Sequence, residues 1–281
     1  MALSLAALGT ATAPRTATVD PDRARQYAAA TNDDNPAYAS GEYAPPVFAV
    51  VPTWDVLAEV VAGVVPPEAL MFVVHGEQDL HFHRPLRPGM TLATTGEPYA
   101  VRVGPSGTRL VVRLASESDG ESVLEQYVTI FVRGMTDGES AGPDKPAHDF
   151  PEAARDAKVG EWSVHADDDQ TYRYRDASGD HMPIHLDADV ARSVGLPGII
   201  AHGLCTMAMC SQAVLRTVGD GDPGRLRRLA VRFAANVFPG NDVVTEVFDA
   251  GTAGDRRAYA FEATSAGAVV VKHGRAELSG A

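Results

Sequence analysis

The segment SGDHMPIHLDADVARSVGLPGIIAHG, residues 178–203, sets Asp180 five residues ahead of His185 and closes on His202–Gly203. A carboxylate and an imidazole that both reach one water molecule can share its protons. A glycine at the start of a helix offers an N–H with no helical partner, where the helix dipole favours negative charge. Such an N–H can hold an oxyanion as it develops. Together these groups point to proton transfer to and from water beside a thioester carbonyl.

The loop that must position them carries clear local signals. Ser178–Gly179–Asp180 reads as a turn after a short helix, and Pro183 fixes the backbone before Ile184. Asp187 reads as the N-cap of a short helix over 188–194, with Gly195 as its terminator. Ile199–Ile200–Ala201 then leads to His202 and to Gly203 at the first turn of a longer helix. Met182, Ile200 and His202 flank the reacting groups and are expected to touch the substrate.

The sequence contains a long internal repeat. Tyr27, Asp33 and Pro36 match Tyr174, Asp180 and Pro183 at an offset of 147, and Pro46, Phe82 and Pro88–Gly89 match Pro197, Phe233 and Pro239–Gly240 at an offset of 151. The first copy keeps the aspartate and the proline turn. It has Tyr38 in place of His185, Val51 in place of His202 and Pro52 in place of Gly203. Proline has no N–H, so this copy cannot make the same oxyanion contact. A motif kept only for folding should appear in both copies, so the divergence places the chemistry in the second.

Each copy has an apolar helical stretch, at 47–65 and 203–218, followed by strand-like runs separated by Gly, Pro and Asp turns. In the second copy the runs are 226–238, 242–249, 256–265 and 268–278. In the first they are 70–84, 90–103, 108–116 and 122–133. The helix LCTMAMCSQAVLRTV is apolar on nearly every face, so strands must wrap around it. A helix followed by an antiparallel meander, twice, is an α+β pattern and the plan of a double hot-dog fold. The expected organisation is a degenerate first domain at 1–133, a Gly- and Pro-rich linker at 134–161 and a catalytic domain at 162–281.

Tyr174-x-x-x-Ser178-Gly179-Asp180-His181-Met182-Pro183-Ile184-His185, followed by Ile200-Ala201-His202-Gly203-Leu204, resembles the MaoC-like dehydratases. These include the (R)-specific enoyl-CoA hydratases (hydratase 2) and the actinobacterial 3-hydroxyacyl-thioester dehydratases. Asn32–Pro36 with Ala44–Pro46 is similar to their degenerate N-terminal domain. The resemblance implies that Asp180 and His185 hold the catalytic water and that the Gly203 N–H forms the oxyanion hole. It implies a CoA or acyl-carrier-protein thioester as substrate, no metal or redox cofactor, and a first half that houses the acyl chain. One residue departs from the pattern: Met182 stands where the family has Asn, while Asn35 survives in the first copy. Two rival readings are a thioesterase on the same fold and a non-catalytic acyl-thioester binder.

The net charge of −13 argues against a nucleic-acid or anionic-membrane partner. No apolar run approaches the ~18–20 residues of a membrane span. Cys205 and Cys210 would stand about 140° apart on a helix and read as small core residues, not a disulfide. Together with a start that lacks a basic signal region, this reads as a cytoplasmic protein. Arg84, Arg87 and Arg225 are the basic residues that could meet a CoA or carrier phosphate, and Trp54 and Phe48 could line an acyl pocket. His81 and His83 alternate on a strand, but no third ligand is at metal spacing. His75, His148, His165 and His273 carry no motif. Exposed strand edges make a homodimer the expected assembly.

Overall fold

The computed structural model describes residues 2–280; Met1 and Ala281, the outermost residues of the two expected domains, lie outside them. Ten strands form one antiparallel sheet: β1 (Arg15–Thr18), β2 (Val73–Phe82), β3 (Thr91–Gly104), β4 (Gly107–Ser118), β5 (Glu121–Arg133), β6 (Lys158–Ala166), β7 (Leu226–Phe233), β8 (Asn241–Ala253), β9 (Arg256–Ser265) and β10 (Ala268–Leu278). Their order is β1-β3-β4-β5-β2-β7-β10-β9-β8-β6, so each half contributes five consecutive strands. This is a double hot-dog architecture. The eight meander strands fall close to their expected places. The short edge strand β1 gave no legible pattern, and β6 takes up the last residues of the stretch read as linker.

The halves meet where β2 pairs with β7. Asp79 lies opposite Ala230, which occupies its own position in the repeat, so a local two-fold passes through that pair. Segment 134–157 is a strap across the outer face of this junction. Lys145 pairs with Glu77 at 2.7 Å, and the Ala147 carbonyl accepts from Arg228 at 3.0 Å.

The helices are α1 (Pro21–Ala30), α2 (Pro36–Ala39), α3 (Trp54–Val64), α4 (Gln170–Ser178), α5 (Ala188–Ser193) and α6 (Gly203–Val218). Helix α6 is buried without a break from Leu204 to Leu215, as its all-round apolar sequence requires. Each fully buried Leu, Val or Met there contributes about 1.5–3 kcal/mol. The first-half helix differs from expectation. Residues 46–50 form a 3-10 turn, and the α-helix begins only at Trp54, because Pro52 cannot donate within a continuing helix. Helix α3 buries only Val56, Leu57, Val60 and Val64, so its other side is left unwrapped.

Candidate active site

Four local devices build the site. Gly179, at φ 84°, ends α4 in a left-handed conformation that a side chain would strain, and this reverses the chain before Asp180. Pro183 starts a 3-10 turn over Pro183–His185 that places His185 inward. Asp187 caps α5 by accepting from the N–H groups of Asp189 and Val190. His202 then sits at the N-cap of α6 without making a side-chain cap. The first intrahelical bond there runs from the Thr206 N–H to the His202 carbonyl, so the N–H groups ahead of it have no helical acceptor.

The fold brings Asp180, His185, His202 and Gly203 together. A donor atom from each of Asp180, His185 and His202 lies within 4.8 Å of the others. The Ile200 carbonyl sits 2.8 Å from His185 Nδ1 and can only accept, so Nδ1 carries the proton and Nε2 presents a lone pair. In the same way His202 Nε2–H donates to the Asp180 carbonyl at 3.2 Å, which holds the loop against the helix start. The two imidazoles stack at 3.9 Å with 29° between their planes, and Tyr174 packs on the other side of His202 at 4.8 Å. Burial lowers the His185 pKa from 6.5 against the opposing pull of the Ile200 carbonyl and Asp180. Burial, and then the neighbouring His185, lower that of His202 to about 3. Both rings are therefore neutral near neutral pH.

Among the described residues these three are the set whose donors converge enough to consider a metal ion. Each ring gives one N–H to a backbone carbonyl, so a single nitrogen of each remains beside the Asp180 carboxylate, able to take water or substrate.

Other residues expected at the site are placed elsewhere. Phe48 is buried in the core, edge-on to Tyr27 at 5.5 Å. Trp54 opens α3 and is 40% exposed. Arg84, Arg87 and Arg225 gather at the Phe82 end of β2, and the strand runs ~23 Å from there to His75. Each is engaged there: Arg84 with Glu121 at 2.8 Å, Arg87 over the Tyr43 ring at 4.5 Å, and Arg225 with Asp220. They form no cluster at Asp180. Met182 and Ile200 are local, the first 52% exposed and the second buried.

The sequence reading missed His75. A β-bulge between His75 and Glu77 keeps the ring on the inner face of β2, edge-on to Phe233 at 5.3 Å. Phe233 in turn covers Gly203, where a Cβ would come within 3.3 Å of its ring. Burial lowers the His75 pKa to about 4, although Asp180 is close enough to act on it electrostatically in the opposite direction. His75 carries no motif, and strict alternation back from Phe82 would turn it to the outer face, so only the bulge reveals its place. The string Gly138–Gly142 has Gly-x-Ser-x-Gly spacing but forms no nucleophile elbow: Ser140 Oγ accepts from the Val103 N–H, and Ala141 bridges to Val101.

Comparison with known proteins gives the family. Residues 150–269 match the model of the MaoC like domain, and residues 6–126 match a FAS1-like dehydratase domain region. A 3-hydroxyacyl-thioester dehydratase Y of Mycobacterium tuberculosis is 30% identical over 211 residues, 72% of this chain and 70% of that protein. The chain belongs to the MaoC-like dehydratase family.

A peroxisomal enoyl-CoA hydratase 2 of Arabidopsis thaliana is 27% identical over 185 residues, 63% of this chain. The match spans 60% of that relative, and 61% of a Dictyostelium discoideum relative. The solved MaoC-like dehydratase of Phytophthora capsici superposes with a TM-score of 0.85 at 25% identity, covering 98% of each chain. A Mycobacterium tuberculosis protein described as having a double hotdog fold superposes at 0.61 with 15% identity, covering 97% of this chain and 96% of that one, a likeness of fold alone.

Within this MaoC-like chain the two copies of the loop show what Met182 changes. Asn35 and Met182 share the same backbone, φ −58° and ψ 123°. Asn35 Oδ1 accepts from the Ala37 N–H at 3.0 Å, and its Nδ2 donates to the Gly221 carbonyl at 2.7 Å. Met182 offers no side-chain cap. Both loops keep the bond from this residue's N–H to the aspartate, Asn35 to Asp33 Oδ1 at 3.2 Å and Met182 to Asp180 Oδ1 at 3.0 Å, so the second loop lacks only the side-chain contacts. A cavity of about 920 Å³ opens beside Asp33 and Tyr38, the first-half counterparts of Asp180 and His185. Pro52 leaves that copy without the oxyanion donor.

Proposed function

We propose that the chain catalyses the (R)-specific hydration of trans-2-enoyl thioesters and the reverse dehydration of (R)-3-hydroxyacyl thioesters. The observation that carries this reading is the His185 Nδ1–Ile200 hydrogen bond. It leaves a neutral Nε2 lone pair beside the Asp180 carboxylate, at the start of the buried helix.

Water held between Asp180 and His185 attacks C3 as His185 Nε2 takes one of its protons. The C2=C3 electron pair moves through C1 onto the thioester oxygen. The Gly203 N–H and the positive end of α6 stabilise that charge. As the carbonyl re-forms, the proton held by the Asp180–His185 pair passes to C2 on the same face. One water has then been added, and both groups are restored.

In this reading the second half, from 162, carries the reacting groups. The first half, to 133, supplies the opposite wall, and 134–161 links them. His202, Met182 and Ile200 surround the acyl thioester, which is carried by CoA or an acyl carrier protein. The exposed edge strand β6 supports a homodimer. The free, buried Cys205 and Cys210 fit a reducing compartment such as the cytoplasm. Among the described residues no helix is long and apolar enough to cross a membrane.

The test is hydration of short and medium trans-2-enoyl-CoA by the purified protein, with Asp180→Asn and His185→Ala alongside. The expected outcome is loss of enoyl absorbance to an (R)-3-hydroxyacyl product, reduced about 10²–10⁴-fold in each variant. Release of free CoA would instead mark a thioesterase. Binding without turnover would mark a carrier of acyl thioesters.

A further inference from the structure

A line of buried polar side chains crosses the inner face of the first half and ends at His75, beside the candidate site. Thr53 Oγ1 donates to the Ala49 and Val50 carbonyls at 3.2 Å each. Its lone pair accepts from Gln126 Nε2 at 2.9 Å, and Gln126 Oε1 accepts from Gln78 Nε2 at 3.0 Å. Because Thr53 gives its proton to the helix carbonyls, it accepts from Gln126, and the line runs from Gln78 through Gln126 to Thr53. What remains is Gln78 Oε1, an acceptor, turned to the His75 ring. The Glu77 backbone and the Gln78 side chain both favour a proton on that ring, while Nε2 is buried with no partner among the described residues. We therefore assign the proton to Nδ1, which leaves the lone pair on Nε2.

Folding does not require this arrangement. In the second half the places of His75 and Gln78 are taken by Leu226 and Leu229, both buried, and both still pair in the sheet, with Leu278 and Ala276. Thr53, Gln78 and Gln126 are each about 1% exposed, and burying polar groups is costly unless all are satisfied. The chain is satisfied link by link up to its last atom. That atom belongs to the ring that packs on Phe233, which in turn covers Gly203.

We infer that His75 is a substrate-contacting residue supplied by the first half, whose Nε2 accepts a hydrogen bond from a donor on the bound thioester. This rests on the proposed hydration reaction. Two groups on such a molecule have the right chemistry: the amide N–H of the thiol arm nearest sulfur, and the 3-hydroxyl that hydration creates. The line through Gln78 and Gln126 sets the tautomer, so Gln78 and Gln126 are positioning residues.

The test compares wild type, His75→Phe, His75→Gln and Gln78→Met in the hydration of crotonyl-CoA and of S-propyl thiocrotonate, which lacks the amide, with inhibition by 3-hydroxybutyryl-CoA as a third reading. The expected result is a loss of kcat/KM on crotonyl-CoA of about 10–100-fold in His75→Phe. His75→Gln keeps an acceptor oxygen and should lose less, and Gln78→Met should fall between. If the amide is the donor, His75→Phe loses nothing on S-propyl thiocrotonate. If the hydroxyl is the donor, the loss persists on S-propyl thiocrotonate, and inhibition by 3-hydroxybutyryl-CoA weakens as well. Nitrogen-15 NMR of histidine-labelled protein should show His75 as the Nδ1–H tautomer in wild type and not in Gln78→Met. Changes within about twofold across all variants and ligands, or an Nε2–H tautomer, would overturn the inference while a working wild type and an inactive Asp180→Asn left the reaction standing. A wild type that hydrates neither thioester overturns both.

Discussion

The hydroxyl oxygens of Tyr27 and Tyr174 lie 3.1 Å apart, and each residue is the other's counterpart in the internal repeat. They meet where α1 packs on α4, both buried, with their rings 5.3 Å apart. The duplication therefore supplies its own hydrogen-bond partner at the local two-fold, and the second tyrosine also backs His202.

Removing one hydroxyl of this pair leaves the other buried and unpaired. Tyr27→Phe or Tyr174→Phe should each cost about 1–3 kcal/mol in urea unfolding, and the double variant should cost less than the sum. Strictly additive losses would show that the two hydroxyls do not depend on each other.

Three histidines of the site should make the protein acid-sensitive. Burial lowers the folded pKa of His75 to about 4 and of His202 to about 3, and lowers that of His185 from 6.5. As pH falls below 6.5 the unfolded chain binds protons that the folded chain refuses, so stability is full above that point and declines through the window below it. Urea midpoints measured near pH 7 and near pH 5 should differ, and His202→Gln should reduce the difference. Activity should fall on the acid side only below pH 6.5, as His185 Nε2 becomes protonated. A midpoint that does not move with pH would contradict the assigned neutral states.

The identical backbones of Asn35 and Met182 make Met182→Asn a clean substitution. Asparagine there can cap the turn at Ile184 as Asn35 caps Ala37, and should stabilise the protein by about 0.5–1 kcal/mol. Thermal unfolding reads the effect directly. An unchanged or lower midpoint would mean that the second loop cannot accept the cap.

Gly203 separates two effects. Gly203→Ala keeps the N–H but presses a methyl group against Phe233 at 3.3 Å. Activity should fall only several-fold, and Phe233→Leu should restore part of it. Gly203→Pro removes the donor, as Pro52 does in the first half, and should lower kcat about 10²–10³-fold with the fold intact by circular dichroism. Equal losses in both variants would assign the glycine to packing alone.

Much of the fold follows from local pattern. The all-round apolar face of α6 demanded an enclosing sheet, and the turn residues between the meander strands placed eight strands within a few residues. The Asp180–His185 loop was equally legible, because Gly179, Pro183 and Asp187 act on their immediate neighbours.

What the sequence could not supply lies where contacts span long separations. The break before α3 depends on Pro52 and on how little of that helix the sheet covers. Short β1 exists only because β3 pairs with it, since four residues carry too little pattern of their own. The arginines looked available because charge is visible in a sequence, whereas their partners and their place at the far end of β2 are not. His75 shows the limit most clearly. By itself the sequence singled out the Asp180–His185 loop and showed that the first copy has Tyr38, Val51 and Pro52 in place of His185, His202 and Gly203. Only the tertiary structure, through a bulge at Gly76, brought His75 of the first half against Phe233 and so beside Gly203 of the second, a contact across long separation that no local pattern encodes.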